Sequence, residues 1–230
     1  MPSFSVNCNQ ILIRMRLPAR LLLTLTLLMP VGGAVGQQMN GDSLLAVLKD
    51  SRLPDSTRIR AASHLCLYVH LRNRPDSALH YAQLGLEMMG KQDMERRRGI
   101  LLYGKGEALS KLNRTAEALK AHEAGLAIRE KLGNSDDISA SLTSIGNIYQ
   151  TQGDHTKAIA FMTRSMEICE KAGNLIGVAS GFVNIGNMHL TQKDDSAAYD
   201  SYNKALRILE KTDDKFRLGI TYMNIGNILH

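Results

Sequence analysis

The sequence predicts an all-α solenoid of antiparallel helix pairs. Three observations lead there: a forty-residue internal period, apolar residues spaced by threes and fours, and a composition poor in aromatic residues and proline. The period is fixed by Gly106, Gly146, Gly186 and Gly226, and again by Ala78, Ala118, Ala158 and Ala198. Hydrophobic residues make up 44%, with no Trp and four Phe, which suits a stripe of Leu, Ile, Ala and Met on stacked helices better than a large globular core. None of the five prolines lies beyond Pro75, so the rest of the chain lacks the strongest helix breaker.

Each copy reads as two helices. In the copy from Ser141, residues Leu142, Ile145 and Tyr149 recur at helical spacing. A turn at 151–154 follows, and then Ala158, Met162, Met166 and Cys169 on a second helix. Gly173 ends that helix in the manner of a C-terminal cap, and Asp76, Asp154 and Asp194 sit where a side chain can cap the second helix of a pair. A glycine inside a helix costs about 1 kcal/mol relative to Ala. Its recurrence predicts a close helix–helix contact, with the recurrent Ala of the second helix on the other side. Cys66 replaces the glycine in the first copy, which predicts looser packing there.

The spacing Leu142-x-x-Ile145-Gly146-x-x-Tyr149, followed by Ala158-x-x-x-Met162, resembles the tetratricopeptide signature. Leu142 or Phe182 stands for its Trp, and Met162 or Tyr202 for its Phe. The usual closing proline is absent, and the longer unit is similar to the forty-residue subclass of kinesin light chains and bacterial signalling proteins. The resemblance covers residues 59–230. It implies a right-handed tetratricopeptide α-solenoid with the first helix of each pair on the concave wall. The units fall at about 59–98, 99–138, 139–178 and 179–218, with a partial fifth at 219–230. The segment 37–58 reads as a linker with a short amphipathic helix that covers the open end of the stack.

The first 36 residues read as a secretory signal peptide. Arg14, Arg16 and Arg20 precede a short apolar run from Leu21 to Val31, and small residues follow near Ala34. That run is too short for a bilayer, which needs about 20 helical residues. The remainder is expected to be exported to the periplasm or another extracytoplasmic face, with membrane attachment only through this segment or an anchor further on.

Three of the +6 charges lie in that segment, leaving an ordinary surface that does not argue for nucleic acid. The basic run Arg96, Arg97 and Arg98 reads as a solvated helix start. Cys8, Cys66 and Cys169 have no metal-ligand spacing, and the seven histidines are scattered. No phosphate loop, nucleophile elbow or zinc-protease motif occurs, so no catalytic residue, cofactor or metal is expected.

The recurrent polar feature is asparagine. Asn147, Asn187 and Asn227 follow the glycine, and Asn184 and Asn224 lie one turn earlier. An Asn carries two donors and an acceptor, so a ladder on the concave wall can hold the backbone of a protein or peptide ligand. The same ladder can instead bond between repeats and stiffen the stack, or be a relic of duplication. Thr151, Thr191, Gln150, Tyr103 and Lys111 are expected to line the same groove. The leader, the amphipathic helix and the repeats together resemble the amino-terminal part of exported bacterial sensor histidine kinases. That resemblance implies a sensory module for an exported ligand. A free periplasmic scaffold, or the input half of a nucleotide cyclase or DNA-binding regulator, are the alternatives. His230 falls in the first helix of the fifth unit, which is expected to continue or to be completed by a partner.

Overall fold

The computed structural model describes residues 41–90 and 94–229. The proposed signal peptide lies outside the described residues. Among the described residues the regular structure is helical: α1 (Gly41–Lys49), α2 (Asp55–His64), α3 (Pro75–Met89), α4 (Glu95–Lys111), α5 (Thr115–Leu132), α6 (Ser135–Thr151), α7 (His155–Lys171), α8 (Leu175–Thr191), α9 (Asp195–Leu209) and α10 (Lys215–Ile228). Each helix packs on its successor, and the first helices α2, α4, α6 and α8 also meet one another in turn. The chain is an all-α solenoid of helix pairs.

Polar caps set where α6 to α10 begin. Asn134, Asn174 and Asp214 start α6, α8 and α10 by accepting from the backbone N–H of Asp137, Gly177 and Arg217 at 2.9, 2.8 and 2.9 Å. Asp154 and Asp194 do the same for α7 and α9, from Lys157 and Ala197. Each side chain satisfies one of the amide groups that a helix start leaves unpaired. Asp76 does not act this way: α3 starts after Arg74 with Pro75 at its first position, and Asp76 sits in the first turn. A period carries no starting point of its own. The caps supply one, and they open the pairs four residues ahead of the unit boundaries drawn from the sequence. Gly153 and Gly173, at φ 78° and 71°, let the chain reverse after α6 and α7 in the left-handed region that L side chains rarely adopt.

Gly106, Gly146 and Gly186 mark close contacts, chiefly with a residue other than the expected Ala, whereas Gly226 meets nothing within 4 Å. A Cβ on Gly106 would stand 2.6 Å from the His122 ring, and one on Gly186 would stand 2.6 Å from the Tyr202 ring. At Gly146 the Met162 side chain is 3.0 Å away and the Ala158 carbonyl oxygen 3.3 Å. The large residue four positions beyond the recurrent Ala therefore fills the seam. Long helical side chains lean back toward the N-terminus, which carries these residues over the glycine. Ala78, Ala118, Ala158 and Ala198 are fully buried and pack the remaining volume. The first pair inverts the sizes: Cys66 and Ala82 share one buried cluster.

The first pair also carries a π-helical turn. Residues Leu65–His70 continue α2 with a wider winding, closed by the Leu71 N–H donating to the Cys66 carbonyl at 3.0 Å. The wider turn rotates Tyr68 out of the buried stripe to 74% exposure, whereas Ala108, Ile148 and Met188, at equivalent repeat positions, are buried. At the start of the stack, α1 lays Leu44, Val47 and Leu48 against Ala61, Ala62 and Leu65.

Candidate functional site

Successive first helices present small polar side chains along one wall. A cleft of ≈ 500 Å³ opens between α4, α6 and α8. Tyr103 and Glu107 line it from α4; Asp136, Ser139, Thr143, Ser144 and Asn147 from α6; Ser180 and Asn184 from α8; and Arg217 from α10. A second cleft of ≈ 370 Å³ shares Glu107, Ser144 and Asn147 and runs on to Ser110, Thr115 and Thr151, so the two form one groove.

The groove floor is a hydrogen-bonded layer. Ser144 donates to Glu107 at 2.6 Å, tying α6 to α4. Ser165 of α7 donates to the Ser139 carbonyl at 3.0 Å and lies 3.1 Å from the Thr143 hydroxyl. Arg129 is buried beneath α4 and α6, donating to the Asp137 carbonyl at 3.0 Å and to Ser141 at 2.7 Å, with its guanidinium 4.3 Å from the Tyr103 ring centre. A buried charge is tolerable only when it is bonded in this way. His122 lies fully buried against the edge of Tyr103. Its Nε2 is 3.6 Å from Glu107, beyond hydrogen-bond reach, and neither ring nitrogen has a hydrogen-bond partner. Burial pushes its pKa down; Glu107 opposes that shift and Arg129 reinforces it. Burial, with Glu107 next, pushes the Tyr103 phenol up. The floor is thus a neutral imidazole and a neutral phenol beside one bonded arginine.

The structure brings Tyr103, Asn147 and Asn184 together in the larger cleft and places Thr151 in the smaller one. Gln150, Thr191, Lys111, Asn187, Asn224 and Asn227 line neither. Asn187 shows why equal repeat position does not give equal role. Its oxygen accepts from the Tyr202 hydroxyl at 2.6 Å, so it braces its own helix pair. Repeat 3 has Met162 where repeat 4 has Tyr202, so Asn147 keeps an uncommitted side chain that faces the groove. Asn184 makes only a long contact, 3.8 Å, to the Met162 sulfur. Thr151 and Thr191 each donate back to their own helix, at 2.7 Å. Sequence reasoning missed Glu107, Asp136, Ser139, Thr143, Ser144, Ser180 and Arg217. The α6 stripe 136–139–143–147, at threes and fours, carried that signal.

Residues 97–171 match the tetratricopeptide repeat family model. The fold is a tetratricopeptide-type solenoid. It is similar to aspartyl phosphate phosphatase F from Bacillus subtilis (TM-score 0.72, 14% identity, 82% of this chain and 48% of that one). It is also similar to a signal-transduction ATPase with a tetratricopeptide repeat sensor from Pyrococcus horikoshii (TM-score 0.70, 16% identity, 80% and 29%). A third similar structure is a Rap protein complexed with competence and sporulation factor (TM-score 0.70, 16% identity, 96% and 62%). The solenoid thus spans less than two thirds of each of these proteins. No curated protein matches the sequence.

Proposed function

We propose that this solenoid is an exported scaffold that binds a protein or peptide segment along its first-helix wall, and that it serves as the extracytoplasmic sensory module of a bacterial signalling protein of the histidine kinase kind. The observation that carries the binding role is the groove itself, where Asn147 and Asn184 stand with hydrogen-bonding capacity that the fold does not use. An extended peptide needs just such partners for its own amides and carbonyls. The support for a sensory role is that similar folds occur in a signal-transduction ATPase with a repeat sensor and in a Rap protein holding competence and sporulation factor. The export proposal rests on the basic start and apolar run of residues 14–31.

Both halves are testable. On an array of random twelve-residue peptides, the chain should retain a defined subset, and Asn147→Ala with Asn184→Ala should weaken that binding. Two net hydrogen bonds are worth ~1–3 kcal/mol together, or roughly tenfold in affinity. Equal binding by the double variant with unchanged circular dichroism removes the groove from the proposal. For export, alkaline phosphatase fused after His230 should be active in a bacterial host and inactive when residues 1–36 are deleted. Activity that survives the deletion refutes the leader.

A further inference from the structure

The residue after each recurrent glycine faces the large residue of the second helix, and the chain shows this pair both closed and open. In repeat 4 it is closed: the Tyr202 hydroxyl donates to Asn187 at 2.6 Å, and Asn187 lines neither cleft. In repeat 3 the facing residue is Met162, which has no N–H or O–H on its side chain to donate, and Asn147 lines both clefts. Forty positions earlier, in repeat 2, the pair is Glu107 and His122. It stands open, with His122 Nε2 3.6 Å from Glu107 Oε1, and Glu107 lines both clefts. A facing donor that bonds draws the residue out of the groove, and a facing group that does not bond leaves it there.

Of these facing residues, His122 alone changes its donors near neutral pH. Its ring is fully buried, and neither nitrogen has a hydrogen-bond partner. A charge-assisted N–H···O bond is about 2.7–2.9 Å long, so closing the pair needs a shift of under ~1 Å. Glu107, with its side chain 26% exposed, gives protons a way in from the groove. The groups around the ring are Tyr103 and Glu107 from α4 and Arg129 from α5. From α6, Asp137 faces Arg129 and Ser144 is bonded to Glu107. Burial lowers the His122 pKa, Glu107 opposes that and Arg129 adds to it, so the proton arrives below the ordinary value of ~6.5.

We propose that His122 is a proton switch for the groove: once protonated, it takes Glu107 as an ion-pair partner from beneath and converts repeat 2 from the open form of repeat 3 to the closed form of repeat 4. The carboxylate common to both clefts is then spent inside the fold. The Ser144 hydroxyl, which ties α6 to α4 through Glu107 at 2.6 Å, has to share that carboxylate with the ring.

The open form indicates which ligand group the switch governs. Among the described residues, neither Glu107 nor Asp136, the other carboxylate of the larger cleft, is paired with a Lys or Arg; Glu107 accepts from Ser144 and Asp136 from the Asn174 amide. Arg217, which lines the same cleft, is paired with Asp214. The complementary group is a Lys or Arg side chain of the bound peptide. The groove holds it while His122 is neutral and releases it in mild acid.

This switch rests on the peptide-binding reading above, and one set of measurements separates the two. The probe is the best array peptide that carries Lys or Arg and no Asp, Glu or His, titrated against the full chain at about pH 7.5 and about pH 5, either side of the imidazole range. Affinity should fall roughly tenfold or more at the lower pH, the loss expected for one charged hydrogen bond. His122→Met, the repeat 3 pairing, and Glu107→Gln should each bring the ratio of the two affinities to about one. His122→Tyr with Glu107→Asn, the repeat 4 pairing, should bind weakly at both. Far-ultraviolet circular dichroism checks that each variant is folded. Without any peptide, the His122 imidazole signal in nuclear magnetic resonance should titrate at lower pH in Glu107→Gln than in the parent, and an unmoved titration overturns the switch. The same affinity ratio in the parent and in His122→Met also overturns it and leaves the groove reading intact. Equal binding after the peptide's Lys and Arg are changed to Gln overturns the choice of ligand. Retention of no peptide overturns the groove reading and the ligand release with it, while the His122 signal still decides whether the pair closes.

Discussion

Gly186→Ala tests the seam that holds each helix pair together. Ala is the better helix former by about 1 kcal/mol, so helix propensity alone predicts stabilisation. The new Cβ would stand 2.6 Å from Cε1 and 2.9 Å from Cδ1 of Tyr202. That ring cannot swing aside easily, because it is fully buried and its hydroxyl is bonded to Asn187 at 2.6 Å. Overpacking costs ~1–3 kcal/mol, and an approach of 2.6 Å to a pinned ring belongs in the upper half of that range, ~2–3 kcal/mol. The expected net result is a loss of about 1–2 kcal/mol, or roughly 2–8 °C in melting temperature for a chain of this size. Gly219→Ala, in α10, meets nothing within 4 Å and should show the propensity gain without the clash. In a Tyr202→Ala background, Gly186→Ala should become neutral or stabilising, since the first repeat already pairs the larger Cys66 with Ala82 in one buried cluster. Melting curves by circular dichroism read the four variants beside the parent. A Gly186→Ala midpoint at or above the parent value would refute the seam.

Four further outcomes follow from the packing and the charges. Asn174→Ala removes the cap of α8 and its bond to Asp136, and should cost ~1 kcal/mol in urea denaturation; no change would mean that the cap is idle. His122 is held neutral by burial, so its folded pKa lies below the unfolded value of ~6.5. The unfolded chain then binds the extra proton: stability is level above about pH 6.5 and falls as pH drops toward the folded value. His122→Met, which copies repeat 3, should flatten that part of the stability–pH curve, and an unchanged slope would assign it to His64 and His70, which are lowered in the same direction. Below about pH 4 a second loss is expected as Asp154 and Asp214 are protonated: Asp154 is held low by hydrogen bonds from Lys157, and Asp214 by the backbone N–H and side chain of Arg217. Cys66 is buried with its thiol pushed up to about 12, so alkylation mapped by mass spectrometry should leave it unmodified until the chain unfolds; rapid labelling in the native protein would show that the first repeat opens.

The groove was legible in part, for a reason visible in three residues. Tyr103, Asn147 and Asn184 could be placed because a helical period assigns a face. Asn187 could not be separated from Asn147 by period alone, because the difference lies in whether Tyr202 or Met162 faces it from the second helix. Glu107 and Arg129 escaped because their partners, Ser144 and Ser141, are in the neighbouring repeat. The run Arg96–Arg98 reads as solvated in the sequence, yet Arg97 is half-buried and Arg98 faces Glu95, because the helices packed around α4 set the burial.

The amino-acid sequence by itself determined the helical class, the forty-residue period, the pairing of helices and the tight contacts at Gly106, Gly146 and Gly186. All of these are periodic, and a period survives in one dimension. Only the tertiary structure decided which large side chain fills each seam, where the π-helical turn throws Tyr68 outward, and which Asn is spent on bracing. Those depend on distances between helices, and two helices with the same apolar stripe pack differently when a single facing residue changes from Met to Tyr.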